Sequence, residues 1–376
     1  MQRSTGSMNL AIFGLSVSSS WGNGHAALWR GLIAGLLRDG HRVTFFERDA
    51  PWYAAHRDLW ALPEGGRLVL YRTWSEVRET AGVAMTEADA AIVTSYCPDG
   101  QAAARLVLES DVEVRCFYDL DTPVTLARVN AGEAVEYLPP EGLGGFDLVL
   151  SYTGGRALDM LQTRLGARKV VPIYGSVDPA LYRRVEARPH YRACLSYMGT
   201  YAADRQAALE QLFVGPARRR PTERFVIGGA QYPDGFPWAP NIFFVRHLPP
   251  DEHAAFYSSS RLTLNVTRTA MAELGWCPSG RLFEAAACGT AMVTDEWDGI
   301  ADFFEPSGEI LIARDTGDVM AALDLSTDTL DAIGRRARDR VLSEHSAQQR
   351  AADLIGALES ACHSAPAGEV RTACGE

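Results

Sequence analysis

An alternation of short apolar runs with segments of helical periodicity occurs twice along the chain, and no other feature constrains the fold as strongly. Continuous apolar strands separated by helices are typical of a parallel sheet that helices cover on both faces. The strands predicted in the first half lie at residues 10–15, 41–47, 68–71, 90–94, 114–118 and 148–151. Those predicted in the second half lie at residues 195–198, 225–227, 262–266, 291–294 and 309–312.

The alternation breaks in a stretch that contains Pro179, Pro189 and several charges, and then it restarts. The sequence therefore predicts an α/β protein of two Rossmann-like doubly wound domains. A cleft is expected between them, because ligands of such sheets bind at the carboxyl ends of the strands. The predicted boundaries are an N-terminal domain at residues 8–178, a linker at 179–194, a C-terminal domain at 195–346, a helix packing back on the N-terminal domain at 347–361, and a disordered tail at 362–376.

Composition excludes several classes of function. The net charge of −11 argues against binding to nucleic acid or to an anionic membrane, which needs a basic surface. No apolar run reaches the roughly 18–20 residues that span a bilayer, and residues 1–7 lack a signal-peptide pattern, so a cytoplasmic location is expected. The seven cysteines form no C-x-x-C pair, which argues against a structural zinc site or a disulfide framework.

The segment at residues 279–290 combines a helix pattern with charged side chains. Ser279 or Gly280 can cap the helix, and Arg281 and Glu284 lie three residues apart on one face. A helix N-terminus attracts phosphate, an arginine adds a charge-assisted contact, and a carboxylate one turn inward can accept hydrogen bonds from a ribose. The alternative from spacing alone is an exposed ion pair that contributes roughly a few tenths of a kcal/mol.

This segment resembles the R-x-F-E-A-x-A-C-G-T signature of the CgeB-like (spore-maturation-protein-B-like) glycosyltransferases. They are a branch of the GT-B superfamily akin to glycosyltransferase family 4, or group 1. The resemblance covers the chain from about Met8 to Leu358. Besides the signature, it includes residues 18–25 (SSSWGNGH), 47–53 (ERDAPWY), 118–126 (YDLDTPVTL), 198–201 (MGTY), 264–268 (LNVTR) and 303–306 (FFEP).

The resemblance implies a GT-B enzyme that moves a sugar from a nucleotide-diphosphate sugar to an acceptor, with UDP as the first expectation for the nucleotide. It also implies retention of the anomeric configuration, no metal and no tightly bound cofactor. The expected partners are therefore a small-molecule donor and a small-molecule acceptor. Sequence leaves the donor sugar, the acceptor and the oligomeric state open.

Donor binding is expected mainly from the C-terminal half. In similar enzymes the glutamate that matches Glu284 binds the nucleotide ribose. The larger family often has an acidic residue eight positions earlier, where this chain has Trp276, so that carboxylate is missing here. By resemblance the loop at residues 199–205 faces the donor diphosphate, and the alternative is an ordinary strand-to-helix turn. The residues expected to bind the donor are Gly199, Thr200, Arg205, Thr267, Arg268, Ser279, Arg281, Leu282 and Glu284.

The loops of the N-terminal half are expected to hold the catalytic and acceptor-binding groups. His25 is a candidate for proton transfer or acceptor positioning, because histidine ordinarily titrates near neutral pH, and the alternative is a histidine that bonds to backbone at a helix start. Asp119 and Asp121 could contact the acceptor or act as a base, and a D-x-D metal site is the disfavoured alternative. Aromatic rings stack on sugars and planar aglycones. The expected acceptor contacts are Trp21, Asn23, Gly24, Trp52 and Tyr53.

Two other classes of protein compete with this interpretation. Gly22-x-Gly24-x-x-Ala27 fits a dinucleotide-binding turn, and Glu47 stands where an NAD-dependent oxidoreductase would hold the ribose, although six residues separate the turn from the first strand. A non-catalytic GT-B-fold binding protein is the second alternative, since the acidic residue is absent at position 276.

Overall fold

The first half of the chain forms a seven-stranded parallel sheet in the computed structural model, which describes residues 6–363. Its strands are β1 (Asn9–Gly14), β2 (Arg42–Arg48), β3 (Gly66–Tyr71), β4 (Ala90–Thr94), β5 (Val114–Asp119), β6 (Leu148–Ser151) and β7 (Val170–Pro172). Its helices are α1 (Gly24–Arg38), α2 (Pro51–Ala55), α3 (Trp74–Glu87), α4 (Gly100–Glu109), α5 (Thr122–Asn130) and α6 (Arg156–Leu165). The strand order is β3-β2-β1-β4-β5-β6-β7, so the winding direction reverses between β1 and β4.

The second half repeats this plan with six parallel strands in the order β10-β9-β8-β11-β12-β13. These strands are β8 (Ala193–Met198), β9 (Phe225–Gly229), β10 (Ile242–Arg246), β11 (Ser260–Asn265), β12 (Ala291–Thr294) and β13 (Leu311–Ile312). The helices are α7 (Gln206–Leu209), α8 (Gly215–Arg219), α9 (His253–Ser258), α10 (Thr269–Leu274), α11 (Gly280–Ala287), α12 (Thr316–Asp324), α13 (Thr327–Glu344) and α14 (Ala347–Cys362). Here the winding reverses between β8 and β11. The predicted fold class, two doubly wound α/β sheets, is confirmed.

Helix α14 belongs to the second half by sequence but packs on the first half. Leu354 and Leu358 are fully buried in the same core as Trp29 of α1. The two helices approach closely because α1 has glycine at the contact: a Cβ at Gly35 would lie 2.8 Å from the Cβ of Ala351. The chain therefore crosses between the two sheets a second time just before α14, where the Val177 N–H donates to the His345 carbonyl.

Some predicted elements are wrong in length or were missed. The helical segment after β8 begins as a 3₁₀ turn, Ala203–Arg205, and contains a π-helical stretch, Glu210–Val214, which the sequence did not indicate. Strands β7 and β10 and helix α10 were not predicted, and the strand predicted at residues 309–312 is only two residues long. The predicted disordered tail begins too early, since Cys362 still belongs to α14, and its residues 364–376 lie outside the described part.

Candidate active site

A cleft of about 1200 Å³ lies where the carboxyl ends of the two sheets face each other. Loops and helix starts of the first half form one wall, and the second half forms the other. The connecting segment at residues 175–189 lines the cleft as well, although the sequence indicated only a linker there. Among the predicted site residues, those that line the cleft are Gly24, His25, Asp121, Arg205, Thr267, Arg268, Ser279, Arg281 and Glu284.

Arg281 lies at the N-terminus of α11, where the winding of the second sheet reverses. Its Nη1 donates to the Met198 carbonyl at 2.7 Å and its Nη2 to the Val266 carbonyl at 3.2 Å, at the ends of β8 and β11. Its Nε donates to Ser279 Oγ at 3.0 Å. A guanidinium has five N–H groups, so these three bonds leave at most two, and Tyr197 is a further hydrogen-bond partner of Arg281. Three anchors from three chain segments fix the direction of this positive charge.

Arg205 is 7% exposed and reaches the same region from the start of the helical segment after β8. Its Nη2 donates to the Thr200 carbonyl, and its Nε has no partner among the described residues. Burial, and after it the charge of Arg281, lowers the pKa of Arg205. Two guanidinium groups bonded to neutral oxygens therefore lie near each other, and such a pair favours an anion with two or more negative charges.

Arg268 and Thr267 are less available for binding the donor than the sequence indicated. Arg268 is half-exposed and its Nε lies 3.3 Å from Asp204 Oδ2. The Thr267 N–H and hydroxyl both donate to Asp295 Oδ1 at 2.9 Å. The polar hydrogens of Thr267 are thus directed into the protein, and Arg268 is the more peripheral of the three predicted arginines.

Glu284 lies one turn along α11 from Arg281 and lines the cleft. Its Oε2 accepts a hydrogen bond from the Tyr257 hydroxyl at 3.3 Å. Burial, followed by the charge of Glu284, raises the pKa of Tyr182, which also lines the cleft. The Tyr182 hydroxyl is a second hydrogen-bond partner of Glu284, so two phenols orient a carboxylate that lines the cleft.

Gly199 and Thr200 lie behind the arginines, outside the cleft lining. The Gly199 N–H donates to the Gly228 carbonyl at 2.9 Å, and its carbonyl accepts from the Tyr232 hydroxyl at 3.1 Å. A Cβ at Gly199 would lie 3.0 Å from Arg281 Nη1, so glycine permits the close approach of this loop to the guanidinium. Leu282 was predicted to contact the donor, but its side chain is 1% exposed and belongs to the core, because it faces away from the cleft on α11.

The opposite wall carries a bonded pair of titratable side chains. His25 Nε2 lies 2.6 Å from Asp121 Oδ2, and Ser95 Oγ donates to the same carboxylate oxygen at 3.5 Å. His25 is in the first turn of α1 and Asp121 precedes α5, so two helix starts meet here. His25 Nδ1 has no hydrogen-bond partner among residues 6–363. A carboxylate that accepts the Nε2 proton leaves the lone pair on Nδ1.

Asp119 does not reach the cleft: it is fully buried beneath Asp121. Its Oδ1 accepts hydrogen bonds from the Asp121 N–H and the Thr125 hydroxyl, each at 3.0 Å. Burial raises the pKa of Asp119 to about 7. A direct acceptor contact by Asp119 is therefore wrong, because the side chain lies under the loop and orients it.

Most of the predicted acceptor contacts lie elsewhere. Trp21 stacks between His56 at 5.3 Å and His247 of the second half at 5.7 Å, measured between ring centroids. Trp52 also packs against His56, with ring centroids 4.6 Å apart, and is 59% exposed. These two rings and Tyr53 lie outside the cleft lining. Asn23 is also not an acceptor contact, since its Oδ1 caps α1 by accepting the His25 and Ala26 N–H groups.

Trp276 occupies the position where similar enzymes often have an acidic residue, and its side chain is not in the cleft lining. It has a positive φ of 43°, and its Nε1 donates to Asp302 Oδ2 at 2.5 Å. The indole packs against Gly155 of the first half and Gly299 of the second. The Trp276 carbonyl accepts the Gly154 N–H at 2.9 Å. This residue therefore connects the two halves.

The geometry opposes the dinucleotide-binding alternative. Glu47 is fully buried, and its carboxylate accepts hydrogen bonds from the Ser16 hydroxyl, the Val17 N–H, and the N–H and hydroxyl of Ser18. A ribose could not replace these four donors without opening the loop. The loop that separates β1 from α1 is thus folded around the very carboxylate that an oxidoreductase would use.

Among residues 6–363, no group of three or more His, Cys, Asp and Glu side chains is placed to hold a metal ion. In the same part of the chain, no helix is both long and apolar enough to cross a membrane.

The fold matches solved GT-B structures over nearly the whole chain at low sequence identity. Sucrose-phosphate synthase from Thermosynechococcus elongatus has a TM-score of 0.68 at 13% identity and covers 94% of this chain and 98% of its own. Anabaena Alr3699/HepE in complex with UDP-glucose has a TM-score of 0.63 at 12% identity, and the match covers 94% of this chain and 100% of that one. An α-glucosyltransferase in complex with UDP and DNA has a TM-score of 0.64 at 12% identity and covers 94% and 100%.

Residues 205–356 match the model of a glycosyl transferase-like family. This range contains Arg281 and Glu284 and ends within α14. No curated protein sequence matches the chain. The prediction of the GT-B fold is thus confirmed, and residues 205–356 form a glycosyl transferase-like domain.

Proposed function

We propose that the protein transfers a sugar from a nucleotide-diphosphate sugar, with UDP as the nucleotide, to a small-molecule acceptor. The observation that carries this proposal is the pair Arg281 and Arg205 at the α11 N-terminus, with Glu284 one turn along the same helix. This arrangement supplies positive charge for a diphosphate and a carboxylate for a ribose within one turn. The UDP-glucose in the Anabaena HepE structure supports the choice of uridine.

We call the side of the cleft that carries Arg281, Arg205 and Glu284 the donor wall. It acts by stabilising the leaving group. Negative charge develops on the diphosphate as the bond to the sugar breaks. The positive charge of Arg281 can stabilise it without reorganisation, because three hydrogen bonds already fix the guanidinium. Arg205 adds a second charge. These groups support a metal-independent reaction, in which guanidinium groups do what a divalent cation does in other transferases.

We call the opposite side, which carries His25 and Asp121, the acceptor wall. It orients the nucleophile. We assign the acceptor hydroxyl to the region beside His25 and Asp121, which both line the cleft and are joined by the 2.6 Å contact between Nε2 and Oδ2. Asp119 positions Asp121 through its main-chain N–H. We further propose retention of the anomeric configuration, which rests on the resemblance of residues 281–290 to retaining transferases. An NMR spectrum of the first product anomer tests this point, and an inverted product would contradict it.

Thermal unfolding with UDP, GDP, dTDP, ADP and NAD tests the donor assignment. A ligand at 100 times its Kd stabilises the folded state by about 2.7 kcal/mol, which is a readable shift in Tm. We expect UDP to give the largest shift. Stabilisation by NAD alone would favour the oxidoreductase, and nucleotide binding without sugar transfer or release from any donor would favour a binding protein.

The ribose assignment has its own test. Glu284→Ala should weaken UDP binding by about 2–3 kcal/mol, or 30- to 150-fold, because hydrogen bonds to a charged group are lost. Glu273→Ala is the matched control, since Glu273 is an exposed glutamate on the neighbouring helix α10, outside the cleft lining. An unchanged UDP affinity in Glu284→Ala would remove the ribose role.

A further inference from the structure

Beside the His25–Asp121 pair, the cleft lining includes apolar residues from two chain segments. One wall is the face of α1 that follows His25, formed by Ala27, Leu28 and Gly31. The other wall is the start of the connecting segment, formed by Val177, Ala180 and Leu181. We call these six residues the apolar branch.

Contacts through α14 show that the two walls are neighbours. The Ala347 N–H donates to the Val177 carbonyl at 2.8 Å. A Cβ at Gly31 would lie 3.1 Å from the Cβ of the same Ala347. The connecting segment thus leaves the first sheet beside the middle of α1. It then turns at Asp178, whose carbonyl accepts the Leu181 N–H, so that Leu181 lies along the cleft.

Leu181 is 67% exposed, although it lines a concave site. The apolar surface of such a side chain is still in contact with water. A ligand that covers it gains binding free energy in proportion to the area covered. Leu181 is therefore the strongest apolar contact that the branch offers.

Some of the charged groups beside the branch are already bonded to protein atoms. Arg30 donates to both carboxylate oxygens of Asp58, and its Nε donates to the Val17 carbonyl at 2.8 Å. Asp178 accepts the Ala180 N–H at 2.9 Å, and Arg183 donates to the Ala180 carbonyl. Arg183 is exposed and has no carboxylate partner among residues 6–363. The exposed apolar residues of the branch are Ala27, Ala180 and Leu181, and an uncharged body can cover them without breaking the Arg30–Asp58 pair.

We propose that the acceptor carries an apolar body, which the branch covers while a hydroxyl of the acceptor lies beside His25. This inference rests on the proposed glycosyltransferase function and adds the chemical class of the acceptor. An alkyl or aryl alcohol or an alkyl-substituted sugar fits this description, whereas a free sugar would leave the branch uncovered.

The test is binding of alkyl β-glucosides, from methyl to hexyl, to the UDP-saturated protein, followed by saturation-transfer NMR titration. The probes share one polar head, so the change of affinity with alkyl chain length reports on the apolar branch alone. We expect affinity to rise about threefold to fourfold per covered methylene. A flat series with UDP still bound would overturn the inference and leave the proposed function intact, whereas a failure to bind UDP would remove the function itself.

Two variants on opposite walls locate the effect. Leu181→Ser and Ala27→Asp should each weaken hexyl glucoside about tenfold or more and leave methyl glucoside and UDP unchanged. Both positions are exposed, so the variants keep the core intact. Val83→Ser is the control, because Val83 is a 55% exposed apolar side chain on α3, outside the cleft lining. A chain-length slope that persists in both variants would place alkyl binding elsewhere and overturn the inference.

Discussion

The two walls of the cleft are built on different principles. On the C-terminal wall, Arg281 is anchored by main-chain carbonyls at the ends of two strands, so the sheet itself fixes the side chain. On the N-terminal wall, His25, Asp121 and Asp119 are held mostly by one another and by loop N–H groups. A group anchored by the sheet is positioned before any ligand arrives, while a group held by other side chains depends on their protonation. The donor wall should therefore tolerate changes of pH better than the acceptor wall.

The sharpest way to break this comparison is Arg281→Ala. We expect kcat/KM for the donor to fall about 10³-fold, about 4 kcal/mol, because the charge and its fixed direction are both lost. Arg281→Lys should recover only part of the loss, since an ammonium cannot span the Met198 and Val266 carbonyls and also reach a diphosphate. Steady-state kinetics with circular dichroism as a folding control checks this. Full activity in the lysine variant would show that anchoring is unimportant.

Asp119→Asn tests the protonation of the acceptor wall. The pKa of Asp119 is raised to about 7, above its value in the unfolded chain, so its contribution to stability is present at acid pH and is lost as pH rises through 7. A shift of a little over three pKa units corresponds to about 4 kcal/mol at most. The stability difference, wild type minus variant, should thus fall by roughly 3–4 kcal/mol between pH 4 and pH 8. Urea unfolding at several pH values measures it, and parallel profiles would contradict the burial argument.

The His25–Asp121 pair should affect transfer and not donor binding. His25→Ala and Asp121→Asn are each expected to lower kcat about 10²-fold and leave UDP affinity unchanged, because general-base contributions are of this size. The double variant should lower kcat little more than either single variant does, since the two side chains act together. Additive losses would show that the two residues act independently, and a changed UDP affinity would contradict the division between the walls.

Arg268→Ala should have the smallest effect. The side chain is exposed and lies near Asp204, and exposed ion pairs contribute about 1 kcal/mol or less. We expect the donor KM to rise less than fivefold, and the rise to shrink in high salt because exposed charges are screened. A loss as large as that of Arg281→Ala would show that Arg268 swings into the cleft when the donor binds.

The sequence predicted the parts of this structure that local patterns determine. Apolar runs located β4, β6 and β12 to the residue, and the glycines around α11 predicted its start and end. Strand β10 was missed although its run, IFFVR, is bounded by turn residues, Pro233-Asp234-Gly235 before it and Pro249-Pro250 after it. Local signals also predict strand type only weakly when a strand lies at a sheet edge, as β10 does.

The site was predictable where one segment supplies it and unpredictable where distant segments meet. Arg281 and Glu284 share a helix turn, so spacing predicted that they face one cleft. The bond between His25 and Asp121 joins residues 96 positions apart, and only the sheet order brings them together. Asn23 and Leu282 were assigned to the site by position, but a helix cap needs the first and the core needs the second. Leu181 carried no pattern that separates a cleft residue from a linker residue.

The packing of α14 on α1 also sets an order of events during synthesis. Ribosomes release a chain from its N-terminus, yet the core around Trp29 lacks five of its apolar side chains until Ala361 has emerged. The core of the first half around Trp29 thus stays incomplete, with the α14-facing side of α1 uncovered, while the entire second sheet is synthesised. The second half, which needs nothing from α14 inside its own cores, can finish first. The part translated later is therefore expected to become protected from proteolysis earlier.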